Sequence, residues 1–177
     1  DCTDTGTDGP IPVEIWGANG FQQIGNYLDS GTRGLAAGAG QRNGVIAHNL
    51  IMNQTGYAME GGNNVDNVHI HSNLAINCKT FMKDTGPATA NTVNGYLIEN
   101  NVIVGTGLDD YDAENPADTI ALGSDGISNV TRCVIRNNRF YNQRFARSVI
   151  RASVNAAGSS LLEIIGNTYH CDHAKDA

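Results

Sequence analysis

A chain of 177 residues with 21 glycines, abundant asparagine and 6% aromatic residues is of one-domain size and rich in turn formers, which suits many short strands and disfavours a helical bundle. Its formal net charge of −7 argues against a nucleic-acid-binding surface, which needs a basic stripe. No apolar run reaches the ~18 residues that mark a membrane-spanning helix, and four cysteines (Cys2, Cys78, Cys133, Cys171) match no zinc or Cys-x-x-Cys spacing.

Residues 1–20 read as an irregular lead-in and a first strand. Asp1 opens no signal-peptide pattern, so the expectation is a mature or trimmed product. From residue 21 a phrase begins to recur. It is weak at Gly25-Asn26-Tyr27-Leu28 and clear at Val45-Ile46-Ala47-His48-Asn49-Leu50-Ile51. It returns at His69-Ile70-His71-Ser72-Asn73-Leu74-Ala75, Leu97-Ile98-Glu99-Asn100-Asn101-Val102-Ile103 and Val134-Ile135-Arg136-Asn137-Asn138-Arg139-Phe140. It closes, degraded, at Glu163-Ile164-Ile165-Gly166-Asn167-Thr168-Tyr169.

Anchored on Asn26, Asn49, Asn73, Asn101, Asn138 and Asn167, the copies are spaced by 23, 24, 28, 37 and 29 residues. Ile46, Ile70, Ile98, Ile135 and Ile164 stand three before the anchor, with Gln23 out of pattern in the first copy. Leu28, Ile51, Ala75, Ile103, Phe140 and Tyr169 stand two after it. Apolar residues at fixed offsets from a corner are what stacked strands produce, because alternate side chains point inward. The anchors themselves are expected to form a hydrogen-bonded ladder and to accept the left-handed backbone of a sharp corner. A second strand follows each anchor, and its copies align as Leu35-Ala36-Ala37-Gly38, Ala58-Met59-Glu60-Gly61, Phe81-Met82-Lys83-Asp84, Ile120-Ala121-Leu122-Gly123 and Val149-Ile150-Arg151-Ala152. The long interval after Asn101 carries an acidic insertion, residues 107–118; residues 173–177 are a tail.

The recurrent Ile-x-Asn-Asn and Asn-x-Ile phrases, over about residues 21–171, resemble the right-handed parallel β-helix repeat of the pectate-lyase-like superfamily of polysaccharide lyases, pectin hydrolases, alginate epimerases and tailspike depolymerases. The resemblance implies an all-β, right-handed parallel β-helix of about six coils over residues 21–172. It also implies a secreted or cell-surface protein acting on a polysaccharide, without nucleic acid or membrane. No catalytic motif of any one family transfers residue by residue, so candidate sites come from columns of outward residues, which stack about 4.8 Å apart.

One column, two residues before the anchor, brings together His71, Glu99 and Arg136 with His69 beside them: an imidazole, a carboxylate to orient it and a guanidinium to hold an anion. The competing reading is a solvated charge ladder. The second column reads Ala37, Glu60, Lys83, Leu122, Arg151, with Asp84 next to Lys83. Lyases of uronic-acid polymers neutralise the sugar carboxylate and remove the C5 proton; Arg151 suits the first task and Lys83, once desolvated, the second. In the insertion, Asp109, Asp110 and Asp112 are candidate Ca²⁺ ligands and Tyr111 a sugar-stacking ring. The expected catalytic residues are therefore Lys83, Arg151 and His71, and the expected substrate contacts Glu60, Asp84, Tyr111, Arg136 and Glu99. The expected activity is β-elimination on an acidic polysaccharide, with hydrolysis or epimerisation as other chemistries. The alternative is a non-catalytic carbohydrate-binding or structural segment of a larger surface or spike protein. Uncapped ends predict homo-oligomers or end-to-end stacking.

Overall fold

The computed structural model describes residues 13–37, 40–62, 64–84, 92–105, 118–123, 129–143, 148–152 and 160–170. Every regular element among them is a strand. In chain order these are β1 (Val13–Ile15), β2 (Gln22–Ile24), β3 (Tyr27–Ala37), β4 (Arg42–Ala47), β5 (Leu50–Gly61) and β6 (Val65–His71). Next come β7 (Leu74–Ile76), β8 (Thr80–Asp84), β9 (Thr92–Asn94), β10 (Leu97–Glu99), β11 (Val102–Val104) and β12 (Asp118–Leu122). The last are β13 (Asn129–Arg136), β14 (Arg139–Tyr141), β15 (Ser148–Ala152), β16 (Ser160–Ile165) and β17 (Thr168–His170).

All ladder pairings are parallel and link each repeat to the next, an all-β arrangement compatible with a β-helix or solenoid. The strands lie on three faces. Face A, a 7-stranded sheet, holds β2, β4, β6, β9 with β10, β13 and β16. Faces B and C belong to one 10-stranded sheet because β3 and β5 run through both. Face B holds the starts of β3 and β5, then β7, β11, β14 and β17; face C holds β1, the ends of β3 and β5, then β8, β12 and β15.

Inward residues build one core. The isoleucine column is in register (Ile46↔Ile70, Ile70↔Ile98, Ile98↔Ile135, Ile135↔Ile164), and its members from Ile46 to Ile135 are at most 2% exposed. Gln23 holds the same column, paired with Ile46; its Nε2 donates to the Ala36 carbonyl oxygen at 3.3 Å. The first repeat is thus in register, its buried amide taking a backbone partner in place of packing.

The A-to-B corner is the asparagine corner. Each anchor donates from its backbone N–H and from Nδ2 to Oδ1 of the next, with side-chain distances of 2.8 to 3.0 Å. Nδ2 of all but the first also donates to a carbonyl of the preceding repeat, at 2.9 to 3.0 Å. The side chains therefore satisfy polar groups that the corner would otherwise bury unpaired. The left-handed residue is the one before the anchor: Gly25, His48, Ser72, Asn100, Asn137 and Gly166 have φ between 54° and 70°. The anchors are free of that strain, which corrects the expectation that they would carry it.

Cys133 is buried in the inward column between Tyr96 and Leu162, and Cys78 is buried at the B-to-C corner; both are free thiols.

Candidate functional site

On face A the outward columns run Ile24–Ala47–His71–Glu99–Arg136–Ile165 and Gln22–Val45–His69–Leu97–Val134–Glu163. The stack of His71, Glu99 and Arg136 therefore exists in register. Its bonding differs from the direct His71–Glu99 contact read from the sequence. Glu99 accepts from Arg136 Nε at 2.7 Å on one oxygen, and meets His69 Nε2 at 2.9 Å on the other. The Glu99 carboxyl, 14% exposed, is held below its ordinary value, chiefly by the Arg136 hydrogen bond and also by His69, against the opposing effect of burial.

His71 stacks near His69, with centroids 4.2 Å apart, and meets the edge of His48 at 5.4 Å. Burial first, then the neighbouring His69 and His48, lower its pKa below 6.5, with Glu99 opposing. Its ring therefore takes up a proton less readily than a free imidazole. Nδ1 faces Ser72 Oγ at 3.2 Å; among the described residues no hydrogen-bond partner approaches Nε2.

Beside this stack the strand is creased. Asn43, Asn67, Gly95 and Arg132, each six residues before its anchor, have φ between 50° and 70°. A left-handed residue inside a strand leaves one residue unpaired and bends it. Asparagine and glycine accept that backbone readily, and the asparagines tie the crease together: Asn67 Nδ2 donates to Asn43 at 2.7 Å and Asn43 Nδ2 to Asn19 at 2.8 Å. The crease opens a groove of about 620 Å³, with Leu97 and Val134 on its floor and Asn43, Asp66, Asn67, Arg132 and Arg136 around it. Arg132 Nε donates to Asn94 Oδ1 at 2.9 Å, and its guanidinium lies 3.7 Å from Asp66. The sequence reading passed over this groove. The signal was the Asn or Gly recurring six positions before the anchor.

Face C gathers the other expected residues in the column Ala36–Glu60–Lys83–Ala121–Arg151. Glu60, Lys83 and Arg151 share it, with Lys83 and Arg151 two strands, roughly 9–10 Å, apart. Ala36 and Ala121 replace Ala37 and Leu122, both of which are buried. The Lys83 ammonium donates to Tyr57 Oη at 2.9 Å and lies 4.8 Å from that ring's centroid. Arg33 pairs with Glu60 at 3.0 Å, and Arg151 with buried Asp118 at 3.3 Å. Each charge of this column already has a partner. Asp84 points into the core, fully buried, accepting from Tyr96 Oη at 3.3 Å, so it contributes to packing beneath the face and not to a surface groove. Asp109, Asp110, Tyr111 and Asp112 lie outside the described residues. Among the described residues no group of histidines, cysteines or carboxylates is placed to hold a metal ion.

The chain matches no family model, no curated protein and no solved structure with which it was compared. Its chemistry rests on the two faces. Face A offers an imidazole, a clamped carboxylate and a guanidinium beside an open groove; face C offers a ring of internally paired charges.

Proposed function

We propose that the chain is a right-handed parallel β-helix of about six coils, of the pectate-lyase-like kind, that holds an acidic polysaccharide along face A and cleaves it by β-elimination. The observation carrying this reading is the register that stacks His71, Glu99 and Arg136 in one outward column, with the carboxylate-fixed Arg136 lining a groove large enough for a sugar unit. Arg132 and Arg136 give that groove local cations despite the overall charge of −7.

In this reading Arg136 pairs with the uronate carboxylate and so acidifies the C5 proton. His71 takes that proton through Nε2. The electron pair forms the C4–C5 double bond as the glycosidic oxygen at C4 leaves and takes a proton from solvent. Glu99 positions Arg136 and His69. The second reading, with Lys83 as base and Arg151 as carboxylate ligand on face C, is favoured by the shared column but needs both cations released from Tyr57 and Asp118. A polymer substrate agrees with a secreted or cell-surface location. Ca²⁺ held by Asp109, Asp110 and Asp112 belongs to the same proposal.

Alginate, pectate and glycosaminoglycans, each with and without Ca²⁺, test the reading through the ultraviolet absorbance of unsaturated uronates. The expected outcome is product formation abolished by His71→Gln and by Arg136→Gln but retained in Lys83→Met. Loss in Lys83→Met with retention in His71→Gln transfers the site to face C. Binding without product on every polymer supports the non-catalytic carbohydrate-binding alternative, and absence of both refutes the polysaccharide reading.

A further inference from the structure

The large exposed hydrophobic side chains of the described residues occur in two places and nowhere between. Trp16, Ile24 and Tyr27 lie at the first strands; Leu161, Ile164, Ile165 and Tyr169 lie at the last. Each is between 47% and 66% exposed. Ile164 and Tyr169 belong to inward columns, so the core itself is open at that end. Both ends also present unpaired strand edges on every face: β1, β2 and the start of β3 at one, β15, β16 and β17 at the other, among the described residues. Such edges are templates for further pairing.

We infer that these two ends are the halves of one interface, and that a second copy of this chain stacks head to tail on the first, continuing the parallel sheets. Carried across the junction, several columns are complementary, although Ile164 falls opposite the Gln23 amide. Ile165 then meets Ile24 of the next copy, and Tyr169 meets Leu28, apolar against apolar. Arg151 falls opposite Glu14, a pair of opposite sign, and the His170 imidazole falls opposite the Asp29 carboxylate. The ladder is polar in the same sense. Asn26 Oδ1 is an acceptor with no rung before it, and the Asn167 backbone N–H is a donor with no rung after it, among the described residues. Stacking supplies each with the bond that every internal rung already makes. Because the two halves are different surfaces, the contact is heterologous and does not close on a pair. Assembly therefore grows beyond a dimer.

The test is light scattering on the whole chain across a concentration series, with two end-blocking variants. The wild type is expected to increase in mass with concentration past that of a dimer. Ile24→Lys and Ile165→Lys, each at an exposed outer position, are expected to be monomeric alone with unchanged far-UV circular dichroism. Mixed, they retain one intact end each and form a dimer and nothing larger. A wild type that stays monomeric, or stops at a two-fold dimer, overturns the inference. So does a variant that assembles alone, or a mixture that fails to pair.

Discussion

Truncating the central rung of the ladder measures what the asparagine corner contributes. Asn101 is fully buried, and its side chain makes four hydrogen bonds: it accepts from the Asn73 N–H and Nδ2 at 3.0 and 2.9 Å, and donates to the Ile70 oxygen and to Asn138 Oδ1, both at 3.0 Å. Asn101→Ala removes all four and leaves buried partners unsatisfied. At a net of about 1 kcal/mol per bond, the expected loss is roughly 3–5 kcal/mol, a large part of the ~5–15 kcal/mol that holds a domain folded. Asn26, at the exposed end of the same ladder, loses a single side-chain bond to Asn49, so Asn26→Ala is expected to cost about 0.5–1 kcal/mol. Urea titration followed by far-UV circular dichroism reads both; Trp16, two-thirds exposed at one end, is a poor probe of the centre. Comparable losses in the two variants, within about 1 kcal/mol, would refute the ladder as a source of stability. A lower slope in Asn101→Ala would show instead that the stack comes apart in sections.

Other consequences are as direct. Gly34→Ala places a methyl 2.5 Å from the Ala58 carbonyl oxygen, backbone that cannot give way, and is expected to lower the thermal midpoint by several degrees, corresponding to about 1–3 kcal/mol. Burial raises the Cys78 and Cys133 thiols to about 11, so a thiol reagent at pH 8 should leave both unmodified in the native protein and react after denaturation. The native His71 pKa lies below its unfolded value of 6.5. The native state therefore binds fewer protons, and the His71 contribution to stability is complete above pH 6.5 and is lost as pH falls through the native pKa. His71→Gln should flatten the stability curve in that acid window; an unchanged slope would remove the lowered-pKa account. If face A is the active site, activity falls over the same window as the base becomes protonated, read as the acid limb of the rate profile.

The features legible in the sequence are those that repeat once per turn of chain with a physical reason to be constant. The asparagines recur because each rung needs the amide's donor and acceptor together. The isoleucines recur because their column is dry. The face C alignment slipped by one residue at Ala37 and Leu122, where alternation disappears: Asp118, Thr119, Ile120, Ala121 and Leu122 are all buried, so no polar residue marks the outward side. Asp84 was assigned to the surface for a related reason, since a carboxylate reads as exposed unless its partner, Tyr96 from the following repeat, is known. The Glu99 contacts were half legible. Register placed Glu99 between His71 and Arg136, but the diagonal preference for His69 depends on side-chain rotamers, which periodicity does not encode.

The three corners differ in the freedom they leave the chain. From face A to face B the connection is always two residues, from Gly25–Asn26 to Gly166–Asn167. From B to C it ranges from no break at all in β3 and β5 to the stretch between Val104 and Asp118, and from C to A it spans anything from Gly62–Asn64 to the seven positions between Asp84 and Thr92. An amide that must reach both its successor and a carbonyl of the preceding repeat tolerates no added length, so one edge of the molecule is closed to insertion while the other two accept it. Novelty in such a chain, whether arising by descent or by grafting a loop in the laboratory, has two seams through which to enter and a third that holds the stack in register meanwhile.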